Sequence, residues 1–268
     1  VYLKLLKGVP VFEILGHRIV WGALFALIIL AISASKTELI PALHPRTLTL
    51  LFISAALITA NWLIYIIAIT SDHVLQMSLG YFMNPLVNVI LGTLVLGERL
   101  SRLQLAACLI AGVGVAFPMV AAGEFPWISL GLALAFGVYG LVRKVAPVSS
   151  LVGFFIEAVF LTLFAGPYLL WLGIEGKGAF TLHDPGEAAL LIGAGIATAV
   201  PLIWFAAAAR KLPLSTLGLI QYLGPTMSFL LGIIIYREPF TWVSAVTFGC
   251  IWSALALYST ELIRARRS

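Results

Sequence analysis

Nine apolar stretches, each long enough to cross a lipid bilayer, constrain the fold of this chain more than any other feature. A bilayer-crossing helix needs about 20 mostly apolar residues, and an isolated strand would leave its backbone groups unsatisfied in lipid. Hydrophobic residues make up 62% of the chain and charged residues 10%, too little charge for a water-soluble surface. The sequence therefore predicts an all-α polytopic membrane protein. The predicted spans are 13–33, 48–70, 75–96, 103–122, 127–143, 151–172, 188–209, 214–235 and 241–260.

The chain also contains an internal sequence repeat of two copies. The offset of 140 positions that sets Pro85 on Pro225 also sets Gly92 on Gly232 and Glu98 on Glu238. Membrane proteins built from two related halves are typically transporters, with a substrate site where the halves meet. We expect the first repeat to cover residues 1–123 and the second to cover residues 124–268.

The same offset predicts how the repeats are oriented. It places residues 1–4 on 141–144, at the end of the predicted helix 127–143. A helix is therefore expected to precede Val1, giving a ten-helix bundle of two five-helix halves, of which this chain holds nine helices. Because five is odd, the second half enters the bilayer opposite to the first, which predicts inverted repeats.

Basic residues lie in short clusters between the apolar stretches, which is typical of a topology signal rather than a nucleic-acid interface. With a cytoplasmic C-terminus, most of the 16 Lys and Arg residues fall in cytoplasmic loops, as the positive-inside rule requires. These are Lys36, Arg46, Arg99, Arg102, Arg143, Lys144, Arg210, Lys211, Arg264, Arg266 and Arg267. The opposite side keeps Lys4, Lys7, Arg18, Lys177 and Arg237.

Short motifs along the whole chain match those of a known family. They lie at 13–18, 61–62, 78–88, 97–99, 139–144, 214–218 and 221–226. In these stretches the chain resembles the RarD branch of the EamA-type transporters, within the drug/metabolite transporter superfamily. The resemblance implies a ten-helix permease of the bacterial inner membrane. Members are usually labelled chloramphenicol-sensitive or chloramphenicol-resistance permeases, while better-understood relatives export amino acids and other metabolites.

Polar residues form a stripe on one face of the predicted helix 75–96. Tyr81, Asn84 and Asn88 are spaced i, i+3 and i+7 and flank Pro85, which has no N–H for the carbonyl one turn earlier. The repeat equivalents Gln221, Gly224 and Ser228 flank Pro225. We favour a solute cavity over the alternative, hydrogen bonds that join helices and bind nothing. The predicted cavity residues are Asn61, Tyr81, Asn84, Asn88, Trp204, Gln221, Tyr222 and Ser228, with helix breaks at Pro85, Pro201 and Pro225.

Three ionisable residues lie inside predicted spans. The offset maps His17 onto Glu157, and Arg18 follows His17. Charges inside a membrane are rare and normally functional, so His17 and Glu157 are candidates for proton coupling or substrate contact. The alternative is that Arg18 extends to the interface and Glu157 is protonated and structural. A permanent Arg18–Glu157 pair is not expected, because the two lie about 10 Å from opposite faces of the bilayer.

The sequence favours a secondary transporter that moves small organic solutes such as amphenicol-type drugs, amino acids or other metabolites. Outward movement and the solute class are implied by the family resemblance alone. No metal or cofactor is indicated; protons stay open as coupling ions, and the protein is expected to be a monomer or homodimer. A membrane enzyme acting on lipid or peptide and a non-transporting scaffold are the alternatives, although HExxH and GxSxG motifs are missing. Glu98 and Glu238, beside Arg99 and Arg237, are interpreted as interfacial caps and surface pairs.

Overall fold

The computed structural model describes the chain except residues 1–4, 7, 72, 124, 181–183, 236, 238–240 and 266–268. Within the described part, nine helices are long and apolar enough to cross a membrane, and no strand is present. The predicted all-α polytopic class is therefore confirmed. The topology predictions for Lys4, Lys7, Arg266 and Arg267 and the cap predicted at Glu238 lie outside the described residues.

The helices follow the predicted spans to within a few residues. They are α1 (Val11–Ile32), α2 (Leu39–Ala42), α3 (Pro45–Thr70), α4 (Val74–Leu94), α5 (Arg102–Ala122), α6 (Trp127–Val145), α7 (Ser150–Ile174), α8 (Pro185–Lys211), α9 (Leu214–Gln221), α10 (Leu223–Ile234) and α11 (Trp242–Ala265). A short 3-10 helix, Ala34–Glu38, leads into α2, and neither short element was predicted.

The first residues of three pairs of helices are 140 positions apart, the offset found in the sequence. The 140-position offset carries the first residue of α3 onto that of α8, the first of α4 onto that of α9, and the first of α5 onto that of α11. Helices that the offset relates also pack on each other: α1 lies along α7, α4 along α9 and α5 along α11. The 140-position offset thus recurs in three helix starts and in three pairs of packed helices.

The helices form two compact units. Unit 1 comprises Val1–Ala56 and Val142–Arg210, and unit 2 comprises Leu57–Leu141 and Lys211–Ser268. The core of unit 1 contains Ala26, Phe154 and Ala199, from α1, α7 and α8. The core of unit 2 contains Val89, Ala107, Ala111, Leu219, Tyr222, Ile251 and Ala254. Each unit therefore combines helices from both predicted repeats.

The prolines act differently in the two copies. Helix α4 continues through Pro85 and α8 through Pro201, so the breaks predicted there are absent. The chain is interrupted at Tyr222, just before Pro225, where α9 ends and α10 begins. A proline removes one backbone hydrogen bond, and packed membrane helices tolerate that loss. Gly224 adds a second weak helix former next to Pro225, which explains why the second copy alone is interrupted.

Candidate functional site: two buried polar clusters

Three carboxamide side chains of unit 2 converge where α4 meets the end of α9. Asn84 Nδ2 and Asn88 Nδ2 both donate to Gln221 Oε1, at 3.0 and 3.1 Å. Asn88 is fully buried, and Asn84 and Gln221 are half-buried. Asn84 and Asn88 lie one turn apart on α4, so a single amide oxygen bridges both. We call Asn84, Asn88 and Gln221 the amide cluster.

A glycine on α9 makes this convergence possible. A Cβ atom at Gly218 would lie 2.6 Å from the carbonyl oxygen of Pro85 and 2.9 Å from Cβ of Asn88. Only a residue without a side chain lets the backbone of α9 approach α4 this closely. Gln221 follows Gly218 by about one turn, so the contact at Gly218 places the Gln221 amide against Asn84 and Asn88.

The carboxylate of Glu98 fixes the start of α9. Its Oε1 accepts a hydrogen bond from the backbone N–H of Leu214 at 2.6 Å, and its Oε2 accepts from the N–H and hydroxyl of Ser215 at 2.9 and 2.7 Å. A negative charge at a helix N-terminus satisfies unpaired N–H groups and complements the helix dipole. Of the cap and surface pair predicted at Glu98, the cap is confirmed, and the helix it caps is the one that carries Gln221.

The amide cluster is incompletely hydrogen-bonded. Within the described part of the chain, Asn84 Oδ1, Asn88 Oδ1 and Gln221 Nε2 have no hydrogen-bond partner, and neither does the hydroxyl of buried Tyr222. Buried polar atoms are nearly always paired, and each unpaired one costs about 1–3 kcal/mol. The cluster thus presents two acceptors and an NH₂ donor that a polar molecule can satisfy.

The other predicted cavity residues are placed differently. Asn61 Nδ2 donates to the carbonyl oxygen of Leu132 at 2.9 Å and joins α3 to α6, which is the helix-joining alternative. Tyr81 is 52% exposed and Trp204 is 72% exposed, and Ser228 is also exposed. The residues that hydrogen bonds bring together are therefore Asn84, Asn88 and Gln221.

A second polar cluster, in unit 1, is built on an ion pair. Arg143 Nη1 lies 3.2 Å from Glu157 Oε1, and the hydroxyl of Ser54 donates to the same oxygen at 2.5 Å. The three residues lie on α6, α7 and α3 and are all fully buried. A lone carboxylate here would have no compensation, so the pairing with a cation and a hydroxyl donor is what permits its burial. We call Ser54, Arg143 and Glu157 the ion-pair cluster.

A glycine on α7 leaves space for the side chain of Arg143. A Cβ atom at Gly153, one turn before Glu157, would fall on the guanidinium of Arg143. Arg143 Nη2 also donates to the carbonyl oxygen of Ser150 at 3.0 Å. The side chain therefore lies flat on the first turns of α7, in a space that a larger residue at position 153 would fill.

Sequence reasoning missed Arg143, which was counted as a cytoplasmic loop charge because it ends a predicted span. Two features of the sequence point to its true place. Gly153 precedes Glu157 by four residues, which leaves an empty spot on the same helix face. Only a few residues separate the end of α6 from the start of α7, so a side chain in the last turn of α6 reaches the first turns of α7.

The other two predicted ionisable residues have separate partners. His17 Nδ1 accepts a hydrogen bond from Trp21 Nε1 at 3.2 Å, and His17 Nε2 lies 3.8 Å from Glu13 Oε1. Because Nδ1 accepts, a neutral His17 carries its proton on Nε2, toward Glu13. Arg18 Nε donates to Thr198 Oγ1 at 2.8 Å. Glu157 is paired with Arg143, and the expectation that Arg18 forms no permanent pair with Glu157 agrees with this geometry.

Comparison with known proteins identifies the family of the chain. Residues 1–119 match the EamA-like transporter family. An uncharacterized transporter of Vibrio cholerae serotype O1 is 41% identical over 266 residues, covering 99% of this chain and 88% of the relative. Protein RarD of Escherichia coli strain K12 is 42% identical over 267 residues, covering 99% and 90%. The chain belongs to the EamA-like transporter family.

The predicted resemblance to RarD-like EamA transporters is thereby confirmed. A solved crystal structure of a protein with 17% sequence identity shares the fold of this EamA-like chain, with a TM-score of 0.72 over 100% of this chain and 93% of the other. The apolar helices and the bacterial relatives make the chain a multi-pass protein of the bacterial inner membrane. A transporter of this family contacts the lipid bilayer and a small-molecule substrate.

Proposed function

We propose that this EamA-like protein is a secondary transporter that moves small organic solutes across the inner membrane, in the outward direction, by alternating access. In this proposal residues 1–123 and 124–268 are inverted repeats, the C-terminus is cytoplasmic, and the protein is not an enzyme. The observation that carries the proposal is the amide cluster, which draws its members from the repeat-related helices α4 and α9 and keeps unpaired polar atoms. Inverted repeats supply equivalent helices to one substrate site in this way.

The hydrogen-bonding capacity of the cluster suits a polar organic solute. Asn84 Oδ1 and Asn88 Oδ1 can accept from hydroxyl or amide groups, while Gln221 Nε2 can donate to a carbonyl oxygen. A solute that makes these bonds removes the cost of the unpaired atoms, so part of its binding energy comes from the protein's own unsatisfied groups. Amphenicol-type drugs and amino acids carry such groups.

We propose the exposed ring of Tyr81 as an apolar wall for a solute at the amide cluster, with exposed Ser228 as a further polar contact. The ring of Trp204, exposed in unit 1, stays a predicted solute contact. Large aromatic surfaces bind aromatic rings by stacking and ammonium groups by cation–π attraction. The ring of Tyr222 is fully buried in the core of unit 2, and its hydroxyl has no partner among the described residues, so we propose this hydroxyl as a further polar group for the solute.

Transport by purified protein in proteoliposomes tests the proposal. Radiolabelled chloramphenicol and individual amino acids are offered to vesicles preloaded with the same unlabelled solute, and uptake by exchange is measured. We expect at least one solute to exchange, and Asn84→Ala to abolish that exchange at unchanged protein content.

The matched control is Thr93→Ala, which lies on the same helix α4 but whose hydroxyl bonds the carbonyls of its own helix. Exchange by this variant is expected to equal that of the unaltered protein. If Asn84→Ala and Gln221→Leu both exchange solute at the unaltered rate, the amide cluster is not the solute site.

A further inference from the structure

The ion-pair cluster has no assigned task in the proposed transport cycle, although it is the most completely buried charge pair in the described part of the chain. Both charged side chains are excluded from solvent, with 0% exposure for Arg143 and 3% for Glu157. The pair of Lys177 and Glu175, by contrast, lies at the surface. Burial of charge is costly, and replacement of such pairs by apolar residues is often neutral or stabilising. Stability alone therefore does not explain the cluster.

The contacts on the two sides of the pair are unequal. Glu157 Oε1 receives both the guanidinium and the hydroxyl of Ser54. Arg143 pairs with Glu157 through the charge on Nη1 and donates to the Ser150 carbonyl through Nη2, while Nε and Nη1 make no hydrogen bond among the described residues. A bidentate pair would be the strong arrangement for arginine and a carboxylate. The pair is held at one oxygen, which leaves it easier to open than a two-point contact.

Other charged groups near α7 are already engaged elsewhere. On α1, which lies along α7, His17 bonds Trp21 and Arg18 bonds Thr198. On α6, Lys144 donates to the carbonyl oxygen of Ala209 on α8 at 2.9 Å.

Glu13 and Arg210 bond backbone groups, and Glu38 is exposed. Glu13 on α1 accepts from the backbone N–H of Ala179 at 2.6 Å. The 3-10 helix packed on α7 carries Lys36 and Glu38, and the Glu38 side chain is exposed. Arg210 on α8 donates to the carbonyl of Val148. Among the described residues, Arg143 is therefore the cation that compensates Glu157.

This arrangement links two events. Protonation of Glu157 removes the negative charge that compensates Arg143, and a buried guanidinium without a counter-charge is strongly unfavourable. Separation of Arg143 from Glu157 leaves the carboxylate without its cation, and a buried carboxylate then becomes neutral by taking up a proton. Each event makes the other more favourable, so the two are expected to occur together.

We propose that Glu157 is a proton-binding site and that Arg143 and Ser54 position it, so that the carboxylate takes up a proton when Arg143 separates from it. A proton from the aqueous phase adds to a carboxylate oxygen and forms an O–H bond, and no other covalent bond changes. Arg143 keeps its charge and its contact with the Ser150 carbonyl. The ligand of this site is the proton, and the role in coupling rests on the proposed transport function.

Infrared spectroscopy tests the site without any solute. Purified protein in lipid is titrated with acid while the C=O stretch of protonated carboxyl groups is recorded, and Glu157→Gln should remove one such band. In Arg143→Met the Glu157 band should appear at a proton concentration at least tenfold lower than in the unaltered protein. In Ser54→Ala the Glu157 band should also appear at a lower proton concentration, by a smaller factor than in Arg143→Met. Glu13→Gln, a second buried carboxyl in unit 1, should leave the band of Glu157 in place.

The outcomes separate this inference from the proposed function. If Glu157→Gln changes no band at any pH, Glu157 binds no proton and the inference is wrong. If Arg143→Met does not fold, Ser54→Ala alone decides, and an unmoved band in that variant contradicts the positioning role. A band that behaves as expected in a protein that exchanges no solute would support the proton site and contradict the transport function.

Discussion

The amide cluster of unit 2 and the ion-pair cluster of unit 1 differ in how their buried polar groups are compensated. Both bury polar side chains in an apolar helix bundle. The ion-pair cluster compensates each charge with an opposite charge, although Arg143 Nε and Nη1 make no hydrogen bond among the described residues. The amide cluster carries no charge and leaves two acceptors and an NH₂ group unpaired. Charges are too costly to leave alone, but an unpaired amide costs only about 1–3 kcal/mol. A membrane protein can therefore leave buried neutral groups unpaired for a solute to bind, whereas a buried charge needs an opposite charge beside it.

The largest effect is expected when the compensation of the ion pair is removed. Arg143→Ala removes the cation of a buried pair, which costs about 3–5 kcal/mol while Glu157 stays charged and less once Glu157 takes up a proton, so the loss should be largest at alkaline pH. The melting temperature of the purified protein should therefore fall sharply. Lys177→Ala removes the cation of an exposed pair and should cost less than about 1 kcal/mol. Equal melting temperatures of the two variants would show that burial does not distinguish the pairs.

Ser54→Ala tests the hydroxyl that completes the ion-pair cluster. A hydrogen bond to a charged group contributes about 1.5–3 kcal/mol, so the variant should be less stable by this amount. Ser253→Ala is the control, because its hydroxyl is exposed and bonds the carbonyl of its own helix. Thermal unfolding of both variants measures the difference, and an unchanged midpoint for Ser54→Ala would remove the hydroxyl from the account.

Gly218→Ala tests the approach of α9 to α4. The added Cβ would lie 2.6 Å from the backbone oxygen of Pro85, and backbone cannot rotate away as a side chain can. We expect a loss of about 1–3 kcal/mol from overpacking, together with loss of solute exchange because Gln221 moves off Asn84 and Asn88. Gly249→Ala is the matched control, since a Cβ there meets nothing within 4 Å. Normal exchange by Gly218→Ala would contradict the packing argument.

The smallest effect on stability is expected at Tyr222. Its hydroxyl is buried without a partner in the described part of the chain, so Tyr222→Phe removes an unpaired group and should leave stability unchanged or slightly higher. Solute affinity should fall if the hydroxyl contacts the solute, and an equilibrium binding measurement tests this. A loss of stability above about 1 kcal/mol would mean that the hydroxyl is already paired.

The sequence was a good guide to the helices and a partial guide to the clusters. Hydropathy locates spans because lipid requires about 20 apolar residues, and the spacing of Asn84 and Asn88 predicts a shared helix face. The contact of both amides with Gln221 depends on the packing of α4 on α9, which helical periodicity does not contain. Asn61 shows the same limit, because only the structure reveals that it bonds the Leu132 carbonyl.

Arg143 was missed for a related reason. A charge at the end of an apolar stretch is interpreted as topology signal, since most such residues face water. Its burial follows from the missing side chain at Gly153 and from the carboxylate of Glu157, both on the next helix.

The sequence overestimates the number of helix breaks, because a proline alone, as at Pro85 and Pro201, does not interrupt a packed helix. The combination of Gly224 and Pro225 does so in the second copy.

Solute flux in proteoliposomes, measured with and without an imposed pH gradient, tests the division of labour between the clusters most directly. Asn84→Ala should lose both solute exchange and gradient-driven accumulation, because it lacks a solute contact. Glu157→Gln should keep exchange at equal pH but lose accumulation, because it cannot take up a proton. Exchange at the unaltered rate by Asn84→Ala, or gradient-driven accumulation by Glu157→Gln, would contradict the account.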